Sequence, residues 1–272
     1  MSLGAVIPTG QYENIQPSYQ AKESIEVDGD AEDVIRKKLD FLRSIISQKI
    51  DQDYARIRNE SIRKKLDKIR FTERNGILYP HVTSIIECLD PIKFDPDKLK
   101  QYASRGNLVH AQIDHFFRTG IMEEDFDDIP GTKLDKIIVE QGSEHLDYKK
   151  PSFKNFWEKY KSRIYPMGNE MKVYNDKELY CGSLDLYCIY DNVYCIFDFK
   201  TASTYDKKKL ERYWKQLSAY AKCLDGVKQM VIIPLNPKKE AGFGEPIVCD
   251  EVDKYFNLFM QDRDAVRKMY NI

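Results

Sequence analysis

Gly182-Ser-Leu-Asp185, Asp198-Phe-Lys200 and Gln216-Leu-Ser-Ala-Tyr220 follow one another within 39 residues, 182–220, and their setting decides the fold. From Glu170 the hydrophobic period is that of strands. These run from Met171 to Tyr174, Tyr180 to Tyr190 and Val193 to Phe199, with Asp191-Asn192 as a tight hairpin turn. Asp198 lies in the apolar run Cys195-Ile-Phe-Asp-Phe-Lys-Thr201. Strand alternation puts Asp198 and Lys200 on one side, roughly 6–7 Å apart along the chain. Asp185 comes from the preceding strand, across the hairpin. A carboxylate inside an apolar strand is expensive unless compensated. A divalent cation would compensate it, and so would a structural ion-pair cluster or a hairpin face open to water. Gln216 and Tyr220, four apart, share one face of the helix that follows.

Downstream, the pattern predicts a helix over Lys207 to Leu224, an apolar strand over Lys228 to Leu235, a loop over Asn236 to Glu245, an edge strand at Ile247 to Cys249 and a closing helix over Asp250 to Met269. Upstream, Phe153, Phe156, Trp157, Tyr160 and Ile164 form an aromatic helical stripe, read as core in preference to a base-stacking surface. Leu99 to Arg118 puts Leu99, Tyr102, Val109, Ile113 and Phe116 on one stripe, with Gly120 as a stop. A short helix is expected near Leu134 to Gln141, within an acidic and then polar stretch. Arg74-Asn-Gly-Ile77 sets a turn dipeptide between short β-like runs that end at Val82-Thr-Ser-Ile-Ile86, so a small hairpin leads into the next helix. Ile35, Leu39, Leu42 and Ile46, then Ile62, Leu66 and Ile69, predict two helices or one kinked helix, broken near Asn59. Residues 1–30 read as an extended or loosely ordered arm. The fold class is α/β: a central mixed sheet flanked by helices, with an N-terminal helical extension.

Hydrophobic residues at 42% supply a core, and a net charge of −1 requires any nucleic acid to be held by a local patch. No run reaches the length of a membrane span and no secretory leader is visible, so a cytoplasmic protein is expected. Cysteines 88, 181, 188, 195, 223 and 249 form no C-x-x-C pair and read as reduced thiols. No repeats and no Walker motif occur.

Asp-x-Lys alone carries no weight, since it recurs at Asp147 to Lys149 and Asp206 to Lys208. In order, however, Ser104-Arg-Gly-Asn-Leu-Val-His110, Glu170, Gly182-Ser-Leu-Asp185, Asp198-Phe-Lys200 and Gln216 to Tyr220 resemble the RecB-like exonuclease branch of the PD-(D/E)XK nuclease superfamily, stand-alone bacterial or phage type. The likeness runs from about Val82 to Leu235. It implies a restriction-endonuclease-like core within residues 71–272, preceded by an arm and helical extension over 1–70. It implies metal ligation by His110, Asp185, Asp198 and the Phe199 carbonyl, with Lys200 orienting the attacking water. It also implies that Gln216 and Tyr220 support the site and nearby DNA, and that Glu170 matches an acidic position of the site. Asp114, one turn after His110, is spaced to orient the imidazole, although a solvent-exposed acid is the default reading at such a position.

The implied cofactor is one or two Mg²⁺ or Mn²⁺ ions, which suit oxygen ligands with one imidazole. No iron-sulfur cluster is expected, because Cys249 stands alone downstream of the core. The expected activity is metal-dependent exonucleolytic hydrolysis of linear DNA in recombination, repair or phage DNA processing, with a recombination partner and an oligomer both compatible. A structure-specific or restriction-type endonuclease and a silent DNA-binding module are the alternatives. Lys207, Lys208, Lys209, Arg212 and Lys215 make a basic run suited to phosphates, although a solvated helix face has the same composition.

Overall fold

A computed structural model describes residues 2–4, 7–8, 14–15, 18–20, 31–91, 96–122, 152–202, 204–235 and 239–270. The chain divides into two compact units, Met1–Pro80 and His81–Ile272.

In the first unit, β1 (Ser2–Gly4) pairs antiparallel with β4 (Ser18–Gln20), and β2 (Ile7–Pro8) with β3 (Asn14–Ile15), so the arm folds back on itself. Helix α1 spans Ala31–Lys65 and continues through Asn59, where a break was expected. The reason is tertiary: Asn59 is buried and its Nδ2 donates to the Gly76 carbonyl at 2.9 Å, so a weak helix former serves as a clasp. Gly76 belongs to the hairpin of β5 (Phe71–Arg74) and β6 (Ile77–Pro80). Asn75 and Gly76 have φ of 52° and 74°, the left-handed pair that a two-residue type I′ turn demands.

The second unit opens with α2 (Val82–Leu89), so the apolar run Val82–Ile86 is helical and not the end of a β-like stretch. Helix α3 (Pro96–Thr119) stops at Gly120, whose φ is 74° and whose N–H donates to the Phe116 carbonyl at 2.8 Å. Helix α4 (Ser152–Tyr160) carries the aromatic stripe and leads through one 3₁₀ turn into β7 (Ile164–Asn175). Ile164 therefore opens a strand, and β7 begins seven residues before the expected Met171, with a register irregularity between Pro166 and Gly168. β8 (Tyr180–Tyr190) and β9 (Val193–Lys200) form the expected hairpin, with φ of 48° and 66° at Asp191 and Asn192. Helix α5 (Lys207–Ala221), β10 (Gln229–Pro234), β11 (Ile247–Cys249) and α6 (Val252–Tyr270) complete the unit. The helix expected near Leu134 to Gln141 lies outside the described residues.

The sheet is mixed, in the order β11-β10-β9-β8-β7. Only the β9–β10 pair is parallel, because α5 forms the crossover between them. Alternation sorts its two faces. Leu186, Cys188, Tyr190, Cys195, Phe197 and Phe199 join Phe153, Phe156, Tyr160, Val109 and Ile113 in the main core. The Phe199 ring lies 5.6 and 6.0 Å from those of Phe153 and Phe156, in edge-to-face contact. The aromatic stripe of α4 is thus core, and the opposite face is left for Asp185, Asp198, Lys200 and α5. Among the described residues no helix is long and apolar enough to cross a membrane.

Candidate metal centre

The site lies where two strands part. The β8–β9 ladder runs from Tyr190 opposite Val193 to Leu186 opposite Phe197 and goes no further. β8 stays paired with β7 as far as Tyr180, and β9 with β10 as far as Lys200. Beyond Phe197 the inner edge of β9 therefore lacks a backbone partner, and an unmet buried N–H is costly. Asp185 supplies the partner: its Oδ2 accepts the Phe199 N–H at 2.7 Å. Within a strand the N–H and C=O of one residue face the same edge, so the Phe199 carbonyl also faces this gap.

Asp198 is buried, and Lys200 Nζ donates to its Oδ1 at 2.9 Å. The same ammonium is 2.8 Å from Oδ2, but without hydrogen-bond alignment, and that oxygen is buried with no hydrogen-bond partner. Lys200 is held on two further sides. Its ammonium lies 4.9 Å from the centre of the Tyr213 ring, and its carbonyl accepts from the Tyr205 hydroxyl at 3.0 Å. No motif marks Tyr213, although it stands three residues before Gln216 on the same helix.

His110, on α3, points Nδ1 at Asp185 Oδ1 (3.4 Å) and Glu170 Oε1 (3.7 Å). His110, Glu170 and Asp185 offer donor atoms that all lie within 4.8 Å of one another. Glu170, expected only as an acidic position of the site, is in this trio. Asp198 stands beside it, occupied with Lys200.

The charges are mutually dependent. Burial pushes Asp198 up to about 6, with Asp185 adding to the rise and Lys200 opposing it. Burial also works against ionised Asp185, but His110, Lys200 and the Phe199 N–H outweigh it and lower its pKa. Burial disfavours a charged His110, yet Asp185 and Glu170 overcome this and raise it to about 10. An imidazole so placed is a strong base whose proton a cation can replace.

On α5, Gln216 Nε2 donates to the Tyr220 hydroxyl at 3.4 Å. The Tyr220 ring lies against the backbone of Gly182: a Cβ there would sit 2.1 Å from Tyr220 Cε1. This gives the glycine of Gly-Ser-Leu-Asp its reason. Burial raises the pKa of the Tyr220 phenol, so the hydroxyl that accepts from Gln216 stays neutral.

Asp114 and most of the basic run have partners away from the trio. Asp114 does not orient His110; it accepts from Asn169 Nδ2 at 2.8 Å and pairs with Arg118 at 3.2 Å. In the basic run, Lys208 pairs with Asp90 (3.0 Å), Arg212 lies 3.6 Å from Glu87 and 3.8 Å from Asp90, and Lys215 pairs with Asp262 (2.6 Å). These three tie α5 to the end of α2 and to α6. Lys207 and Lys209 remain in the first turn of α5, which Asp206 caps by accepting the Lys209 N–H.

Oxygens from Asp185, Glu170, Phe199 and Asp198, with one imidazole, suit a hard divalent cation. Compared with known proteins, the chain matches no family model and no curated protein.

Proposed function

We propose that this chain is a Mg²⁺- or Mn²⁺-dependent deoxyribonuclease with a restriction-endonuclease-like core, an exonuclease of the RecB-like PD-(D/E)XK type acting in the cytoplasm on ends of linear DNA. Recombination, repair or phage DNA processing would use such an activity. The observation that carries this reading is the gap between β8 and β9. There Asp185, Asp198 and Lys200 converge beside His110 and Glu170, with both oxygens of buried Asp198 close to the Lys200 ammonium.

His110, Glu170, Asp185, Asp198 and the Phe199 carbonyl would hold one or two ions. Held there, such an ion would polarise a phosphate and make bound water acidic. Lys200, which has donors only, orients the attacking water and offsets charge gathering on the phosphoryl oxygens. Tyr213 and Asp198 fix the ammonium between a ring and a carboxylate. Gln216 and Tyr220 back the site from α5, and Lys207 and Lys209 at its open end meet the DNA backbone.

End-labelled linear duplex and closed circular DNA, each incubated with Mg²⁺, form the test. Loss of label from the linear duplex with the circle intact is expected, and Lys200→Ala and Asp198→Ala should abolish it while remaining folded. Undiminished activity in either variant would refute the assignment. Cutting of the circle would turn it to the endonuclease reading, and no cutting at all to a silent binding module.

A further inference from the structure

Glu170 is the strained member of the trio. Its φ is 47°, a left-handed conformation that a glutamate rarely adopts. Asn169 lies opposite Leu186 and Met171 opposite Leu184, so Glu170 stands across from Asp185, on the strand next to it. An extended residue at this point would aim its carboxylate differently. Something must hold the turn of the chain that points Glu170 at His110.

We propose that Asn169 and Asp114 are positioning residues that preset the metal centre, an inference that rests on the metal-binding reading of His110, Glu170 and Asp185. The Asn169 Nδ2 donates to Asp114 Oδ1 at 2.8 Å, and Arg118 Nε holds the other Asp114 oxygen at 3.2 Å. Asp114 is one turn beyond His110, so both project from one face of α3. Asn169 is the immediate neighbour of Glu170 on β7. One hydrogen bond therefore ties the helix that carries the imidazole to the strand that carries the strained carboxylate. It sets the separation of two donors that come from elements with no backbone pairing between them. Cutting it releases the left-handed turn at Glu170 and lets α3 slide on β7, so the trio loses its preset geometry.

Calorimetric titration of Mn²⁺ into the full chain, without DNA, reads this directly. Asn169→Ala should weaken Mn²⁺ binding by about 10-fold, the low end of the range for losing a group bonded directly to a ligand, since Asn169 acts one bond further out. If the strand variant fails to fold, Asp114→Ala, in a helix where alanine is the best former, should give the same loss. The exchange Asp114→Asn with Asn169→Asp reverses donor and acceptor and should restore most of the affinity. A bond that merely stabilises the fold would lower the unfolding midpoint and leave Mn²⁺ affinity unchanged. Affinity equal to wild type in a folded single variant, or an exchange that recovers nothing, would overturn the proposal. A wild-type chain that binds no Mn²⁺ would instead sink the metal-binding reading beneath it.

Discussion

Gly182→Ala probes how α5 is seated on the sheet, whatever the chemistry beside it. The new methyl carbon would lie 2.1 Å from Tyr220 Cε1, 2.7 Å from Cζ and 2.9 Å from the hydroxyl. Carbon atoms rest about 3.5–4.0 Å apart, so the ring must retreat by roughly 1.4–1.9 Å. It has nowhere easy to go. Tyr220 is buried, and so are Leu217, Ser218, Ala219 and Ala221 around it on α5. Overpacking of this kind costs about 1–3 kcal/mol. At about 2–4 °C per kcal/mol for a unit of this size, the melting temperature should fall by several degrees. The displaced hydroxyl also leaves Gln216, already at a long 3.4 Å, and a shift of about 1 Å near a reacting centre can cost on the order of 10²-fold in rate. Urea unfolding and initial rates on end-labelled duplex measure the two effects. In a Tyr220→Leu background the clash is gone, so the methyl should cost little and the double-mutant cycle should be strongly non-additive. A Gly182→Ala protein with wild-type unfolding midpoint, or additive effects in the double variant, would refute this account of Gly182.

Four further outcomes are expected. Tyr213→Phe keeps a ring beside Lys200 and should retain near-normal single-turnover rates, whereas Tyr213→Leu should lose roughly 2- to 30-fold, the worth of a cation–π contact of about 0.5–2 kcal/mol. His110 has a folded pKa of about 10 against an unfolded value near 6.5, so its proton stabilises the metal-free protein fully below about pH 6.5, and that contribution is lost as pH rises through about 10. The stability gap between wild type and His110→Gln should accordingly narrow from pH 6.5 to pH 10 in urea titrations with chelator, and a gap independent of pH would count against it. Mn²⁺ at about 100 times its dissociation constant should add about 2.7 kcal/mol to unfolding, a gain that Asp185→Asn should remove in thermal scans. Asn59→Ala leaves the Gly76 carbonyl without its buried donor at about 1–3 kcal/mol, and hydrogen exchange should quicken in the 71–80 hairpin while the 164–200 strands stay protected.

What could be read along the chain was whatever a few adjacent residues encode. Asp191-Asn192, Asn75-Gly76 and the stop at Gly120 are local conformational requirements, and the structure has left-handed backbone at each. The continuity of α1 was not local, since the partner of Asn59 lies 17 residues away. Nor was the start of β7, where Pro166 and Gly168 interrupt the alternation that marks a strand. The ion pairs of the basic run on α5 were not local either: the acids beside Lys208, Arg212 and Lys215 are Glu87, Asp90 and Asp262, from other elements.

The site divides along the same line. Residue types and strand faces were legible, because alternation alone puts Asp198 and Lys200 on one side. Which carboxylate faces the imidazole and which faces the ammonium was not, because that depends on where the β8–β9 ladder stops. Had pairing continued past Phe197, the Phe199 N–H would have met a backbone carbonyl of β8 and Asp185 would have been free to turn away. Because it ends there, Asp185 must complete the sheet with one oxygen and meets His110 with the other, at 2.7 and 3.4 Å. A carboxylate fixed by a structural duty cannot relax when its neighbours change. The placing of Asp185 thus originates in an unfinished ladder and depends on the two flanking pairings, β7 with β8 and β9 with β10, that keep the gap open.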